Sequence, residues 1–212
     1  MAQELEMGLA EGAASALSPL KMTYEEFLQW ADEDVPAEWV DGEVFLISPA
    51  SHRHQLLAGF LSTMLRFFVE TRHAGVILTA PFQMKLGPKL PGREPDILFV
   101  AREHLDRLKK TFLDGPADLV IEIISLESRA RDRGEKFYEY EQGGVREYWL
   151  LDFLRKQAEF YQLDADGIYQ LAPAIDGVYH SAVLEGLQLK VEWLWQEPLP
   201  LLRDALREWK LI

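Results

Sequence analysis

The chain has 212 residues, of which 48% are hydrophobic and 27% charged, a composition typical of one compact globular domain. Its 35 acidic and 22 basic side chains give a formal net charge of -13, which opposes nonspecific binding to a polyphosphate such as DNA. A local basic patch or bound divalent cations can reverse that field at one site. The sequence contains no cysteine, which excludes disulfides, a thiol nucleophile and cysteine-ligated metal centres.

The sequence also carries no export or membrane signal. No run approaches the roughly 18 to 20 apolar residues of a membrane-spanning helix, and residues 1–6 are acidic where a secretory signal is basic. Together with the lack of cysteine, these features predict a cytoplasmic protein that makes no use of a membrane.

The first third of the chain predicts an arm, a short helix, a hairpin and a long helix. Residues 1–20 are rich in Ala, Gly and Glu and predict a flexible arm, so residues 21–212 are expected to form the single domain. Thr23 and Glu26 fit a capping box that begins a helix. Asp41-Gly42 predicts the turn of a hairpin over residues 39–47, with Glu43 opening its second strand. Apolar residues at helical spacing then predict a long helix that ends near residue 71.

The rest of the chain mixes strands and helices without strict alternation. Strands are expected over residues 75–86, 96–100, 117–124, 145–153, 157–163 and 167–171, with a helical segment over 101–110, a polar helix over 127–142 and a terminal helix over 198–211. The Gly/Pro-rich loop over residues 87–93 is a candidate flap. This order predicts an α/β or α+β fold, in which a central mixed sheet is flanked by helices.

Three short segments carry the candidate chemistry. Glu94-Pro95-Asp96 begins a strand, Glu122 interrupts the most apolar strand, and Asp132 and Lys136 lie one helical turn apart in the next helix. A carboxylate in such a strand costs several kcal/mol unless a cation or hydrogen bonds compensate it. If the two strands are neighbours, Asp96 and Glu122 converge on one edge of the sheet and can bind Mg²⁺. Lys136 would then orient a water or stabilise a phosphoryl transition state.

At these residues the chain resembles the PD-(D/E)xK nuclease superfamily and, within it, the restriction-endonuclease family called Uma-two. The resemblance covers about residues 22–161, and the order and spacing of its motifs make it specific. The motifs are Val40-Asp41-Gly42-Glu43, Ser48-Pro49 followed by His52 or His54, Pro95-Asp96, Ile121-Glu122-Ile123-Ile124-Ser125, Asp132 with Lys136 and Tyr140, and Gly144-Val145-Arg146-Glu147-Tyr148-Trp149-Leu150-Leu151-Asp152.

The resemblance implies a restriction-endonuclease-like fold and metal-dependent hydrolysis of phosphodiester bonds in DNA, with a homodimer cutting both strands. On the matching positions, Asp96, Glu122 and the backbone carbonyl of Ile123 would hold Mg²⁺ or Mn²⁺. Glu43 would be an additional acidic residue that supports the metal or the base. The chain departs from the Glu-x-Lys pattern, because Ile124 stands where the lysine is expected. Lys136 of the next helix would take its place, a variation that is usual in this family.

Each of these residues also has a structural interpretation. Asp96 can be a strand-initiating residue after proline, and Glu122 can pair with a structural Arg or Lys. Lys136 can belong to a solvated charged helix face, and Glu43 can be an ordinary hairpin residue.

The sequence leaves the role of the histidines and the DNA-binding surface open. His52 and His54 do not share a helix face, which argues against a two-histidine metal clamp, although one of them can still line the cleft. A nuclease needs a basic surface, for which the sequence offers Arg102, Arg107, Lys109, Lys110, Arg129, Arg131 and Arg133.

The rival hypothesis is a catalytically silent protein of the nuclease fold that acts as a binding or scaffold module. It would form a homodimer through its C-terminal strands and its Trp-rich tail, which contains Trp193, Trp195 and Trp209.

Overall fold

The computed structural model describes residues 20–30, 37–40, 42–46, 50–88, 90–125 and 128–212. The predicted N-terminal arm lies outside these ranges, except for Leu20, which begins the first strand. Asp41, the first residue of the predicted hairpin turn, also lies outside them.

The described residues form strands and short helices, with one long helix. The strands are β1 (Leu20–Lys21), β2 (Ala37–Val40), β3 (Glu43–Leu46), β4 (Gly75–Thr79), β5 (Gln83–Lys85), β6 (Gly92–Arg93), β7 (Ile97–Ala101), β8 (Phe112–Asp114), β9 (Leu119–Ile123), β10 (Glu147–Asp152), β11 (Gln157–Leu163), β12 (Tyr169–Leu171), β13 (Val178–His180) and β14 (Gln188–Lys190). The helices are α1 (Tyr24–Trp30), α2 (His52–Thr71), α3 (Arg129–Arg133), α4 (Glu135–Gly143) and α5 (Leu202–Glu208), and 3₁₀ helices span Arg102–Arg107 and Val191–Trp195.

The first sheet has six strands in the order β1-β3-β2-β6-β5-β8. Its β2–β3 hairpin confirms the predicted one, with Val40 paired to Glu43. Gly42 has a φ of 88°, in the left-handed region that glycine adopts without steric cost. The capping box is also confirmed, because the backbone N–H of Thr23 donates to Glu26 at 2.8 Å and that of Glu26 donates to Thr23 Oγ1 at 3.2 Å.

The second sheet holds the core and also has six strands, in the order β12-β11-β10-β9-β7-β4. Strands β9 and β10 are parallel, whereas β7 runs antiparallel to β9. Every residue of β7, β9 and β10 is buried. One face of the sheet packs against the apolar stripe of α2, including Leu61, Met64 and Phe68, and Tyr140 of α4 packs against the other face.

These sheets confirm the predicted mixed α+β architecture with helices on its flanks, and they add details that the pattern did not show. The interruption expected at Pro81 in the strand over residues 75–86 is confirmed, and the structure adds that β4 and β5 belong to different sheets. The predicted helix over 127–142 is two helices, because Gly134 has a non-helical φ of -112° and ψ of -92°. Gly92 and Arg93 of the predicted flap form strand β6, which pairs with Trp39 and with Met84.

The C-terminal tail packs on its own chain. Trp193 is 6% exposed, and the ring of Trp209 meets that of Phe68 edge-on at 5.6 Å. Arg53, in the first turn of α2, donates to the backbone carbonyls of Leu194 and Gln196 at 3.0 and 2.9 Å. The buried Trp193 is therefore not available as the dimer surface that the scaffold hypothesis gave it. Within the described ranges, no helix is long and apolar enough to cross a bilayer.

Candidate active site

Asp96 and Glu122 meet at one end of the second sheet. The antiparallel register pairs Ile97 with Ile121 and Leu98 with Val120, so its continuation by one residue brings Asp96 level with Glu122. Asp96 Oδ2 also accepts a hydrogen bond of 2.7 Å from the backbone N–H of Ile123. The two acidic segments, 26 residues apart in sequence, therefore share the carboxyl end of β9.

Glu122 is held by two side chains of the helix that packs behind it. Its Oε1 accepts from Lys136 Nζ at 2.9 Å and from the hydroxyl of Tyr140 at 2.7 Å. Lys136 and Tyr140 are four residues apart, so they project from the same face of α4. Both Glu122 and Lys136 are 3% exposed. The interpretation of Lys136 as part of a solvated face is therefore wrong, and its ammonium group helps to compensate the desolvation of Glu122.

Asp132 is a third carboxylate beside this pair. It is 1% exposed, and its Oδ1 lies 3.5 Å from Lys136 Nζ. Within the part of the chain that the structure describes, this oxygen has no hydrogen-bond donor. Burial raises the pKa of Asp132, the Lys136 ammonium group opposes that rise, and the negative charge of Asp96 adds to it. The sequence placed Asp132 in the motif, one helical turn before Lys136, and the structure brings the two side chains together.

His54 is the histidine that contacts the candidate site. Its Nε2 lies 3.2 Å from Asp96 Oδ2, and its side chain is 12% exposed. Burial opposes protonation, but the hydrogen bond and charge of Asp96, with a contribution from Asp132, raise the pKa of His54. His52, two residues earlier, is exposed. The site residues that sequence reasoning did not assign are therefore His54, Tyr140 and Asp132, all of which stand in the family motifs.

Glu43 belongs to the first sheet, where it opens strand β3. Its carboxylate is 3.0 Å from Lys21 Nζ, and its side chain is 33% exposed. Its predicted role near the metal stays a prediction.

The acidic residues fit a hard divalent cation. Among the described residues, no three His, Asp or Glu side chains are grouped closely enough to enclose a metal ion. Mg²⁺ does not need such a cage, because proteins hold it through one or two carboxylates and several waters. Asp96 and Glu122 at one strand end match that donor set, and the buried Oδ1 of Asp132 offers a further acceptor without a donor among the described groups.

The predicted basic patch is divided by the structure. Beside the site, Arg129 donates to the buried Asp152 at 2.9 Å, and Arg133 pairs with Glu159. Arg102 follows the other end of β7, and five residues of strand separate that end from Asp96 by about 16 Å. The seven basic residues therefore do not form one surface around the site.

The fold and the site together define a restriction-endonuclease-like α+β protein. The structure is similar to a solved one from Anabaena variabilis, described as a "putative nuclease belonging to DUF820", with a TM-score of 0.69 and 14% identity. The match covers 82% of this chain and 97% of the other.

The family follows from the sequence match. The family model "Uma2: Putative restriction endonuclease" matches residues 24–192, and the chain belongs to that family. The chain is also 26% identical, over 149 residues, to the uncharacterized protein slr1290 of Synechocystis sp.. That alignment covers 69% of this chain and 77% of the relative.

Proposed function

We propose that the protein is a Mg²⁺-dependent or Mn²⁺-dependent endonuclease that hydrolyses phosphodiester bonds in DNA. The observation that carries this proposal is the buried contact of 2.9 Å between Lys136 Nζ and Glu122 Oε1, at the strand end that Asp96 shares. Membership of a family described as restriction endonucleases supports the same chemistry.

The metal would be held by the carboxylates of Asp96 and Glu122 and by the backbone carbonyl of Ile123. When bound, such an ion polarises a phosphoryl oxygen and lowers the pKa of its bound water. The backbone N–H of Ile123 and the ring of His54 both contact Asp96 Oδ2, and these contacts fix the orientation of that carboxylate.

Lys136 supplies the fixed positive charge. Its ammonium group lies between Glu122 and Asp132, at 2.9 and 3.5 Å, and is almost fully buried. A charge held in a poorly solvated site needs little reorganisation as negative charge develops on a phosphate, and it acts more strongly there than in water. Lys136 would therefore orient the attacking water or stabilise the transition state.

Glu43 and a second subunit complete the proposal. Glu43 would support the metal or the base from the first sheet, and its present contact with Lys21 leads us to expect a smaller effect from Glu43→Gln than from changes at Asp96. Cutting both strands of a duplex requires two sites, so we also propose a homodimer. Sedimentation analysis with and without a DNA duplex tests that assembly.

The cleavage assay uses supercoiled plasmid and a labelled duplex with Mg²⁺ or Mn²⁺. We expect the wild type to nick or cut DNA only with the metal, and Asp96→Asn and Glu122→Gln to lose at least about 100-fold in rate.

Asp118→Asn is the matched control for loss of a buried carboxylate. Asp118 is 1% exposed and precedes the other end of β9, where its Oδ2 accepts from the backbone N–H of Ala101. This variant should keep the cleavage rate per folded molecule. Equal cleavage by the wild type, Asp96→Asn and Glu122→Gln would reject the proposal.

A further inference from the structure

The turn between β10 and β11, residues 153–156, projects from the same end of the sheet as the candidate active site. Strand β10 runs parallel to β9, with Leu151 level with Ile123. The carboxyl ends of both strands therefore lie together, and the turn follows directly after β10. Since neighbouring strands are about 4.8 Å apart, the turn starts next to the strand end that carries Glu122.

The turn is fixed to the sheet by a buried carboxylate. Asp152 is fully buried, and its Oδ1 accepts from the backbone N–H of Arg155 at 3.1 Å while its Oδ2 accepts from Arg129 at 2.9 Å. Arg129 belongs to α3, the helix that also carries Asp132. The same polar contacts therefore set the position of the turn relative to the site.

The turn presents two adjacent cations to solvent. Arg155 and Lys156 are both exposed, and no carboxylate of the described residues forms an ion pair with either. Arg129 and Arg133, in contrast, are used in ion pairs with Asp152 and Glu159. Strand β11 then leads away to the acidic turn at Asp164–Asp166, which lies at the opposite end of the sheet because Gln162 pairs with Glu147.

We propose that Arg155 and Lys156 bind the phosphate backbone of DNA and guide it onto the candidate active site. This inference rests on the proposed function for the identity of its ligand. Lysine and arginine side chains that form no ion pair within the protein can bind the phosphates of nucleic acid, and this binding releases condensed counterions. In a chain with a net charge of -13, a small positive surface beside the site favours the approach of DNA at that point.

The test compares two charge-matched double variants by fluorescence anisotropy of a labelled 20-base-pair duplex. Arg155→Gln/Lys156→Gln removes the cations of the turn. Arg72→Gln/Arg102→Gln removes two exposed arginines from the opposite end of the sheet, where Gly75 pairs with Ala101. Both variants lose the same net charge, so the comparison tests the position of the lost cations. Binding is measured in EDTA and in Ca²⁺ over a range of salt concentrations, and thermal unfolding checks that both variants are folded.

We expect the turn variant to bind about tenfold more weakly, with a salt slope smaller by about 1.8 because two phosphate contacts are lost. The control variant should keep the affinity and slope of the wild type. Equal loss in both variants, no loss in either, or no binding by the wild type would overturn the inference. Binding that depends on the turn without metal-dependent cleavage would overturn the proposed function alone, whereas cleavage that is indifferent to the turn would overturn only this inference.

Discussion

Glu122 keeps a carboxylate inside an apolar strand because two donors from α4 bond to the same oxygen. Lys136 and Tyr140 contact Oε1 at 2.9 and 2.7 Å, and the group is buried with its cation. A buried pair of this kind adds little net stability, but removal of one partner leaves the other desolvated. The arrangement therefore makes Lys136 important for folding as well as for the proposed chemistry.

Lys136→Met, which keeps the length of the side chain without its charge, should lower the free energy of unfolding by about 3 to 5 kcal/mol. The reason is the loss of the ammonium group beside the buried Glu122 carboxylate. Urea unfolding at neutral pH measures the change. Lys190→Met is the control, because Lys190 pairs with Glu208 at the surface and an exposed pair contributes about 0 to 1 kcal/mol. Equal small effects in both variants would show that Glu122 does not depend on its cation.

Asp132→Asn should become more stable relative to the wild type as the pH rises. The pKa of Asp132 is raised in the folded protein, chiefly by burial, so the folded state binds this proton more tightly than the unfolded state does. The wild type therefore loses stability from pH of about 4, the ordinary aspartate range, up to the raised pKa. The asparagine variant has no such loss, and urea unfolding at several pH values measures the difference.

Asp164→Asn should become less stable relative to the wild type as the pH rises, which is the opposite of the trend for Asp132→Asn. The backbone N–H of Ile168 and the side chain of Gln170 lower the pKa of Asp164. Its contribution is present above the unfolded pKa and is lost as the pH falls through the lowered value. The same sign of trend in both variants would contradict the assignment of Asp132 as a destabilised buried anion.

At the scale of elements, the helix α4 is positioned by a residue of the first sheet. Arg93 of β6 is 1% exposed and donates two hydrogen bonds to Glu139 at 2.7 and 2.8 Å, with Glu135 at 3.5 Å. Glu135 and Glu139 stand directly before Lys136 and Tyr140, the two residues that contact Glu122. One face of α4 therefore binds the first sheet, and the adjacent face binds the site. Arg93 therefore links the two sheets through the helix that carries Lys136.

Arg93→Met should lower the free energy of unfolding by about 3 to 5 kcal/mol, because it leaves Glu139 without its buried guanidinium partner. Cleavage per folded molecule should fall as well, since Lys136 and Tyr140 lose the support of their helix. Denaturation and a cleavage assay at low temperature separate the two effects. Arg203→Met, at a surface position, is the control. If Arg93→Met lowers the free energy of unfolding no more than this control does, Arg93 does not position α4.

Elements with local signals were predictable, whereas their pairing was not. The capping box at Thr23, the Asp41-Gly42 turn signal and the apolar spacing of α2 lie within short windows of sequence, and helix α1, the β2–β3 hairpin and helix α2 are all present. The parallel pairing of β5 with β8 joins residues about 29 positions apart, Gln83 and Phe112. Such pairing is decided by tertiary packing, which no local pattern encodes.

The candidate site was likewise predictable in its residues but not in all of its contacts. Asp96, Glu122 and Lys136 were identifiable because charged residues in apolar strands and the motif order stand out in sequence. The contact of His54 with Asp96 was not, because it joins the first turn of α2 to a strand 42 residues later. The helix break at Gly134 was not predicted either, because no local pattern in the polar segment marked it.

At the scale of the whole molecule, the two ends of the second sheet carry different charged groups. The end with Asp96 and Glu122 carries the exposed cations of the β10–β11 turn, and the opposite end carries the acidic turn at Asp164–Asp166 together with the exposed Arg72 and Arg102. In a chain with a net charge of -13, two exposed cations beside the candidate site give DNA a local surface that it can approach. The carboxylates of Asp96, Glu122 and Asp132 lie close together beside this end, where they attract a divalent cation.

Metal binding to the folded state should therefore stabilise the entire protein. A ligand that binds only the folded state at about 100 times its Kd adds about 2.7 kcal/mol to the free energy of unfolding. For a domain of this size that corresponds to a rise in Tm of about 5 to 10 °C. We expect Mg²⁺ or Mn²⁺ to produce this shift, and a calorimetric titration to show the corresponding heat.

The variants decide where the ion binds. Asp96→Asn and Glu122→Gln should melt at the same temperature with and without the metal, since each lacks one of the two carboxylates that would hold the ion. Asp118→Asn, which loses a buried carboxylate at the other end of β9, should keep the full shift. A wild type that shows neither heat nor a melting shift would favour the scaffold hypothesis. A shift that survives in Asp96→Asn would place the metal elsewhere, and the geometry of Asp96, Glu122 and Lys136 would then be a structural ion cluster.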